Sequence, residues 1–166
     1  SGIMKILKDS VNDFFKWVKG TELVELDDID VSEDPVRPEL TLGWRISKGR
    51  KIYGLKYEDE IEGIICIAYT NEIPHSVKEL DMMSELVHMK EEKPTIAIAY
   101  TVWSRKRGAG REIIQKVLDH AKQSGIQRVV TLSPLTPMAT HFHIRNGAKQ
   151  ISINDTTQNF EYELRS

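Results

Sequence analysis

The spacing of apolar residues predicts four helices. Residues 4–19, 75–87 and 109–124 carry apolar side chains at helical spacing, and a shorter helix is expected from Pro137 to about residue 146. The apolar stripe of the first helix consists of Leu7, Val11, Phe14, Phe15 and Val18. That of the third consists of Ile113, Ile114, Val117, Leu118 and Ala121. Both helices therefore have one face suited to packing against a neighbouring layer.

Short runs rich in β-branched and aromatic residues predict the strands. We place strands at "ELTLGWRI", "KIYGLKY", "IEGIICIAYTN", "TIAIAYTVW", "QRVVTLS", "AKQISIN" and "NFEYELR". The acidic, proline-bearing stretch that ends at Pro38 is predicted to be a loop. This order of elements indicates an α/β (α+β) fold, in which helices cover a sheet of six or seven strands. We expect residues 1–166 to form one domain, with residues 1–3 a cloning remnant or a disordered end.

The charges are nearly balanced but unevenly distributed. With a net charge of −2, the chain has no general attraction for nucleic acid or for an anionic membrane. Residues 22–34 contain seven acidic side chains and no basic one, whereas residues 104–111 contain four basic side chains and no acidic one. The acidic segment is a candidate for attracting a cationic substrate, but a run of like charges is more often a solvated loop.

Cysteine content and hydropathy bear on the location of the protein. Cys66 is the single cysteine, which excludes an internal disulfide and is typical of a protein in a reducing cytoplasm. The sequence contains no apolar run of the roughly 18–20 residues that a membrane-spanning helix needs, and no stretch like a signal peptide. We therefore expect a cytoplasmic protein with no membrane partner and no nucleic-acid partner.

A basic, glycine-containing turn is the most informative feature of the sequence. It runs from Arg105 to Arg111, directly after a predicted strand and at the start of the helix over 109–124. Glycines allow a ligand close to the backbone, and the open N–H groups of a helix N-terminus attract anions. A phosphate-bearing ligand is the expected occupant. The spacing fits neither a nucleoside triphosphate loop nor a dinucleotide-binding loop, and a solvated basic turn remains an alternative.

The pattern Arg105-x-x-Gly108-x-Gly110 resembles the acyl-CoA pyrophosphate loop of the GNAT acyltransferase superfamily. The order of predicted elements is also similar, from the first helix to the last strand. The resemblance implies a GNAT fold: a mixed sheet with helices on both faces and a splayed central strand pair. It also implies acetyl-CoA or another acyl-CoA as co-substrate and an amine acceptor. Many members of the superfamily pair as homodimers through their last strands, so a homodimer is possible here.

The resemblance assigns roles to two adjacent segments. Backbone N–H groups of the loop would hold the pyrophosphate, and that loop consists of Arg105, Lys106, Arg107, Gly108, Ala109, Gly110 and Arg111. The preceding strand would bind the pantetheine arm through Thr101, Val102 and Trp103, with the Val102 N–H as the oxyanion donor. A base for the amine would come from Asp59, Glu60 or Glu62, among which the sequence does not decide.

The stretch "ATHFHIRNGA" resembles a later helix of the same superfamily. Its alanine, phenylalanine and glycine match in register, and His143 stands where a tyrosine is common. In many members that tyrosine protonates the departing CoA thiolate. An imidazole is also suited to this role, because it titrates near neutral pH.

A second resemblance links the same region to the malonyl-CoA decarboxylase family. It rests on "TLSPLTP", "FHIRNGA" and "NFEY" and covers roughly residues 95–162. In that family the serine of the Ser-Pro and the histidine of the Phe-His motif are the catalytic pair, and they correspond to Ser133 and His143. The serine would hydrogen-bond the malonyl group and the histidine would protonate the carbanion-like product. This sequence lacks the long insertion that follows the Ser-Pro in that family.

Simpler interpretations of these residues also stay open. Ser133 would cap the following helix, and His143 would be a packed, neutral core residue. His141 lies on another helix face than His143, and this spacing does not suit a metal site, so we expect no metal. Three functions remain: acyl transfer to an amine as the leading hypothesis, decarboxylation through Ser133 and His143, and a non-catalytic CoA-binding module.

Overall fold

The computed structural model describes residues 2–164, without the side chains of residues 9 and 12–19. In chain order the α-helices and strands are α1 (Gly2–Lys19), β1 (Glu22–Leu26), α2 (Leu42–Ile46), β2 (Lys51–Tyr57), β3 (Glu60–Thr70), α3 (Val77–Met89), β4 (Ile96–Ser104), α4 (Ala109–Gln123), β5 (Arg128–Thr131), β6 (Ser133–Pro134), α5 (Pro137–Arg145), β7 (Lys149–Ile153) and β8 (Thr157–Tyr162), and a short 3-10 helix at Val31–Glu33 lies between β1 and α2. The four predicted helices are therefore confirmed as α1, α3, α4 and α5.

Two predictions concern the N-terminal end of the chain. The stripe assigned to the first helix includes Phe14, Phe15 and Val18, whose side chains lie outside the described residues. Gly2 and Ile3, expected to belong to a cloning remnant or a disordered end, form the first turn of α1. Ser1 lies outside the described residues.

The strands form one mixed sheet in the order β1-β2-β3-β4-β5-β8-β6, with β7 paired to β8. The β4–β5 pair is parallel, and the other pairs are antiparallel. The structure has eight strands rather than six or seven. β1 was not predicted, the predicted strand "QRVVTLS" is interrupted between β5 and β6, and the predicted strand "ELTLGWRI" is not a strand.

Each face of the sheet carries a separate apolar core. Alternation along the strands sends Ile65 to one face and Ile64 to the other, where each is fully buried. On the first face Ile65 packs with Ile113 of α4, and on the second face Ile64 packs with Leu80 of α3. Helices thus cover both faces of the sheet, as expected.

The structure corrects the interpretation of residues 21–46. The run "ELTLGWRI" does not form a strand: Leu42–Ile46 is a short helix, capped by the Thr41 hydroxyl, which accepts the N–H of Trp44. The acidic stretch is not all loop, because Glu22–Leu26 pairs with β2 as an edge strand. Glu25 forms an ion pair with Lys51 of β2 at 2.9 Å. Strand pairing and a buried arginine on α2 outweigh the local sequence preferences.

The central strands β4 and β5 pair over only four positions. Their register ends at Ala99 and Thr131, and the N–H of Leu132 then donates to the Ala99 carbonyl at 3.0 Å. At the same point the β3–β4 pairing shifts, and Tyr100 is the extra residue of the bulge. Beyond it β6 pairs with β8, so the edge of β4 from Thr101 onward faces a gap. This is the splayed strand pair that was expected.

A buried arginine bridges the two strands where they separate. The Arg37 Nε donates to the Tyr100 carbonyl at 2.9 Å, and its Nη2 donates to the Leu132 carbonyl at 3.0 Å. The diverging strands leave these carbonyls without strand partners, and buried carbonyls without a partner are costly. The planar guanidinium therefore replaces a section of the β4–β5 ladder.

Asp34 holds this arrangement in place. Its carboxylate is 1% exposed and accepts hydrogen bonds from the Thr101 hydroxyl at 2.7 Å and from the Arg37 N–H at 3.0 Å. It also forms an ion pair at 2.7 Å with Arg45 of α2, whose side chain is fully buried. The segment from Asp34 to Arg37 is therefore fixed against β4, although the sequence around it is acidic and rich in proline.

Replacing Asp34 with alanine is expected to lower the free energy of unfolding by about 3–5 kcal/mol, because the buried Arg45 charge loses its partner. Urea denaturation at pH 7 measures the change. The matched control is Glu33→Ala, which removes a neighbouring carboxylate whose ion pair with Arg105 is exposed; its expected loss is below about 1 kcal/mol. Equal losses in the two variants would contradict a structural role for the buried pair.

Candidate active site

A cavity of about 590 Å³ fills the gap between β4 and β6. The bulge at Tyr100 and the segment containing Pro35 and Val36 form one side, and α5 forms another. The cavity brings together six residues singled out from the sequence: Thr101, Val102, Trp103, Gly110, Ser133 and His143. Since β4 has β3 on one side but no strand on the β5 side here, its backbone edge from Thr101 to Ser104 on that side is open to a ligand.

The cavity wall is mainly apolar and carries no formal charge. Among the described residues, no aspartate, glutamate, lysine or arginine lines it. The titratable side chains on its wall are His143 and Tyr100, and burial raises the pKa of the Tyr100 hydroxyl, which therefore stays protonated. Any ligand that enters meets hydroxyl, imidazole and backbone groups rather than charges.

His143 is enclosed by three aromatic rings. It stacks on Phe160 at a centroid distance of 5.2 Å and contacts Phe142 and Tyr162 edge-on at 5.1 and 5.8 Å. The side chain is 6% exposed, and this burial lowers the pKa of His143 from 6.5 to about 4. The imidazole is therefore neutral at pH 7, which agrees with the simpler interpretation of this residue.

The hydrogen bond between His143 and Tyr162 fixes the position of the imidazole proton. The Nδ1 atom lies 2.8 Å from the Tyr162 hydroxyl, which has no other acceptor among the described residues. Burial also raises the pKa of Tyr162, so its hydroxyl is protonated and donates to Nδ1. The imidazole proton is then on Nε2, and that atom has no hydrogen-bond partner in the described part of the chain.

Ser133 lies in β6 and does not cap the helix that follows. The cap of α5 is Thr136, whose hydroxyl accepts the N–H of Ala139. The Ser133 hydroxyl is buried 2.8 Å from that of Thr131, and no hydrogen bond links it to His143. Serine and histidine thus line one cavity without forming the hydrogen-bonded pair that a nucleophile and its base require.

The basic turn starts α4 with a glycine in the left-handed region. Gly108 is the N-cap, with a φ of 81°. Part of the backbone of the turn is already paired: the N–H groups of Arg105 and Lys106 both donate to the Glu62 carbonyl, at 2.7 and 3.2 Å. The Ala109 N–H donates to the Lys106 carbonyl at 3.2 Å.

Four N–H groups of the turn stay open. Those of Arg107, Gly108, Gly110 and Arg111 have no acceptor among residues 2–164. They lie at the positive end of the α4 dipole, and Gly110 also lines the cavity. The turn therefore fits an anion whose attached chain enters the cavity.

The basic side chains of the turn also differ from one another. Arg105 forms an exposed two-pronged ion pair with Glu33, at 3.0 and 3.1 Å, and Lys106 lies 3.8 Å from Glu60. Arg107 and Arg111 are exposed and have no ion-pair partner among the described residues. The two free guanidinium groups are the more accessible partners for an anion.

None of the three carboxylates considered as a base reaches the cavity. Asp59 and Glu60 are exposed at the β2–β3 turn. Glu62 is buried beneath the basic turn, outside the cavity wall. The acidic segment does not supply a base either: its first part is β1, Glu33 pairs with Arg105, and Asp34 is enclosed in its own ion pair.

Neither a metal site nor a membrane-spanning helix is found among the described residues. No group of three or more His, Cys, Asp or Glu side chains there has the arrangement of a metal site. His141 is exposed and His143 is buried, so the two histidines face different surroundings. No helix in residues 2–164 is long and apolar enough to cross a membrane.

Several residues that shape the site were not identified from the sequence. Asp34 and Arg37 set the gap, and Thr131 and Tyr162 contact the two candidate catalytic side chains. The sequence does not distinguish Asp34 from the six other acids of its segment. The "NFEY" motif did point to the region of Tyr162, but not to its contact with His143.

The chain is similar to known proteins both in sequence and in fold. The sequence matches the Acetyltransferase (GNAT) family over residues 12–148. Similar solved structures include a malonyl-CoA decarboxylase from Agrobacterium vitis, with 20% identity and a TM-score of 0.52 over 69% of this chain and 33% of that chain. A GphF GNAT-like decarboxylase in complex with isobutyryl-CoA has 14% identity and a TM-score of 0.66 over 87% and 100% of the two chains. An acetyltransferase from Bacillus subtilis in complex with CoA has 10% identity and a TM-score of 0.56 over 85% and 93%.

Identities this low establish a shared fold and nothing more. The chain spans 33% of the length of the Agrobacterium decarboxylase. No curated protein sequence matches this chain.

The buried, neutral state of His143 predicts that the protein loses stability in mild acid. The unfolded chain binds a proton at this histidine near pH 6.5, whereas the folded protein binds it only near pH 4. The contribution is therefore complete above about pH 6.5 and declines as the pH falls toward 4, by about 3 kcal/mol at most. Urea denaturation at pH 7 and 4.5 measures it.

The variant His143→Asn is the comparison for this measurement. It removes the titrating group, so its free energy of unfolding should fall less between pH 7 and 4.5 than that of the wild type. The same fall in both proteins would show that His143 is not held neutral by the fold.

Proposed function

The chain belongs to the acetyltransferase (GNAT) family, and we propose that it acts on the thioester of an acyl-CoA. The pyrophosphate would bind the open N–H groups of Gly108, Gly110 and Arg111, with Arg107 beside them. The pantetheine arm would lie along the open edge of β4 at Thr101 to Trp103, which leads into the cavity. Two solved structures of similar fold, one in complex with CoA and one in complex with isobutyryl-CoA, support this choice of ligand.

On this path the thioester would lie at the cavity end, near Ser133 and His143. Both line the cavity, and each has a donor group to offer: the serine hydroxyl and the Nε2–H of the imidazole. Two neutral donors in an apolar, uncharged cavity stabilise an oxyanion more effectively than they would in water. A reaction that develops negative charge on the thioester oxygen therefore suits this site.

The reaction that the geometry supports best is decarboxylation of a malonyl-type thioester. The bond between the carboxylate and the α-carbon breaks, carbon dioxide leaves, and its electron pair becomes an enolate on the thioester. Hydrogen bonds from Ser133 and His143 to the acyl oxygens would stabilise that charge. The Nε2–H of His143 then gives its proton to the α-carbon, which yields the acetyl thioester, and the imidazole regains a proton from water. No acceptor molecule and no carboxylate base are needed.

The burial of His143 among three aromatic rings, which keeps its imidazole neutral, is the observation that carries this choice. A neutral imidazole N–H is a much weaker acid than a thiol, whose pKa is about 8.5, so it does not readily protonate a departing CoA thiolate. A thioester enolate is a far stronger base and takes a proton from such a group. The structure therefore favours a carbanion over a thiolate as the species that His143 would protonate.

Acyl transfer to an amine is the second candidate. The family match over residues 12–148 favours it, because the matched family is described as acetyltransferases. In such a reaction the amine attacks the thioester carbon, loses a proton and displaces CoA thiolate. The cavity supplies no carboxylate to take that proton or to attract an ammonium group, so water would have to connect the amine to a more distant base.

Malonyl-CoA incubated with the protein and no acceptor is expected to give acetyl-CoA and carbon dioxide, detected by mass spectrometry. Ser133→Ala and His143→Asn should each lower kcat/KM at least about 100-fold, because each removes a donor to the developing charge. The matched control is His141→Asn, at an exposed histidine two positions away, which should retain activity. CoA release from acetyl-CoA only when an amine is added would instead support acyl transfer, and tight CoA binding with no turnover would support a binding module.

The left-handed glycine of the turn allows a separate test of CoA binding. Gly108 and Gly125 lie at opposite ends of α4, and both have a φ of 81°. Alanine at either position should cost about 1 kcal/mol of stability through backbone strain. Only Gly108→Ala should weaken CoA binding, by about tenfold, because it disturbs the amides at the anion site. Calorimetric titration with CoA measures this, and equal affinities in the two variants would place the anion elsewhere.

A further inference from the structure

The pairing of β5 with β8 is interrupted next to Ser133. Backbone pairing ends at Val130 and Glu161 and resumes at Ser133 and Gln158. Side chains bridge the interruption. The Thr131 hydroxyl accepts the N–H of Phe160 at 3.0 Å, and the Asn159 amide donates to the Thr131 carbonyl at 2.8 Å. The Thr131 side chain thus takes the place of a backbone acceptor in the sheet.

The same hydroxyl lies 2.8 Å from that of Ser133, and the proton between them has a preferred direction. Thr131 is fully buried, and the Ser133 oxygen is the one acceptor within reach of its proton among the described residues. If Ser133 donated instead, the Thr131 proton would be buried without an acceptor, which is unfavourable. Thr131 therefore donates to Ser133.

When Thr131 is the donor, the Ser133 hydroxyl can donate its own proton to a ligand in the cavity. Ser133 lines the cavity, whereas Thr131 does not, and no other acceptor for the serine proton lies in the described part of the chain. We infer that Thr131 is a positioning residue that sets Ser133 as a hydrogen-bond donor to an acyl oxygen. The ligand class is an acyl thioester with a carbonyl or carboxylate oxygen at this point, and the inference rests on the proposed function.

The arrangement also opposes a nucleophilic role for Ser133. Activation of a serine requires a base that accepts its proton, but the neighbouring hydroxyl is a donor and His143 is bonded to Tyr162 instead. No acyl-serine is formed in this scheme. The serine contributes a fixed dipole, and the fold sets the direction of that dipole before the substrate binds.

The test is a double-mutant cycle between Thr131 and Ser133, with malonyl-CoA as the substrate. Thr131→Val keeps the shape of the side chain and removes its hydroxyl, and Thr131→Ser keeps the hydroxyl. The valine variant should lower kcat by about fivefold to tenfold with little change in KM, and the serine variant should restore most of it. In a Ser133→Ala background, Thr131→Val should have no further effect on kcat.

Stability measurements separate this role from a merely structural one. Thr131→Val also removes the acceptor of the Phe160 N–H, so it should lower the urea midpoint equally with and without Ser133. An equal fall in kcat in both backgrounds would overturn the inference, as would a serine variant no more active than the valine variant. Should the valine variant not fold, Thr131→Cys takes its place, because a thiol is a weak donor. Its kcat should also be lower than that of the serine variant, and only when Ser133 is present.

A different result would exclude the proposed function itself. If the wild-type protein binds no acyl-CoA, or releases no carbon dioxide from malonyl-CoA, decarboxylation itself is excluded before the cycle begins. If the wild type turns over malonyl-CoA and the two substitutions act independently, the function stands and the role of Thr131 is rejected.

Discussion

The separation of β4 from β5 is the constraint on which the candidate site depends. Two parallel central strands that stop pairing after four positions leave polar backbone groups inside the protein. Arg37 satisfies the carbonyls of Tyr100 and Leu132, and Asp34 holds Arg37, Arg45 and the Thr101 hydroxyl together. A buried network of charged and polar side chains therefore keeps the two strands apart. The cavity, the open edge of β4 and the position of Ser133 all follow from it.

The chemistry of the cavity follows from its lack of charge. The charged groups near the gap are neutralised behind β4 or lie at the basic turn, so the interior is apolar apart from a few oriented dipoles. His143 is enclosed by three rings and held neutral, with its proton directed away from Tyr162. The site thus has two parts: the basic turn, which suits an anion, and the cavity, which offers neutral hydrogen-bond donors. This division suits a long ligand with a phosphorylated end and a reactive thioester.

Much of this architecture was predictable from the sequence, because the long helices and inner strands have clear periodic patterns. The turn after β4 and the resemblance of residues 139–148 were also visible, since they are local patterns. Residues 39–46 were assigned to a strand wrongly, because the burial of Arg45 against Asp34 depends on contacts distant in sequence. The role of Arg37 was not predicted for the same reason, because its hydrogen-bond partners are 63 and 95 residues away in sequence. The roles of Thr131 and Tyr162 required atomic distances.

The central claim, a neutral His143 whose Nε2–H faces the acyl group, is tested most directly by the ¹⁵N chemical shifts of its imidazole across a pH titration. The structure predicts a protonated Nε2 and an unprotonated Nδ1 that accepts from Tyr162, with no titration above about pH 5. Binding of CoA should leave this tautomer unchanged. A titration midpoint of His143 near pH 6.5, or a proton on Nδ1, would contradict the account. A midpoint near 6.5 would also mean that a charged His143 is available to protonate a departing thiolate.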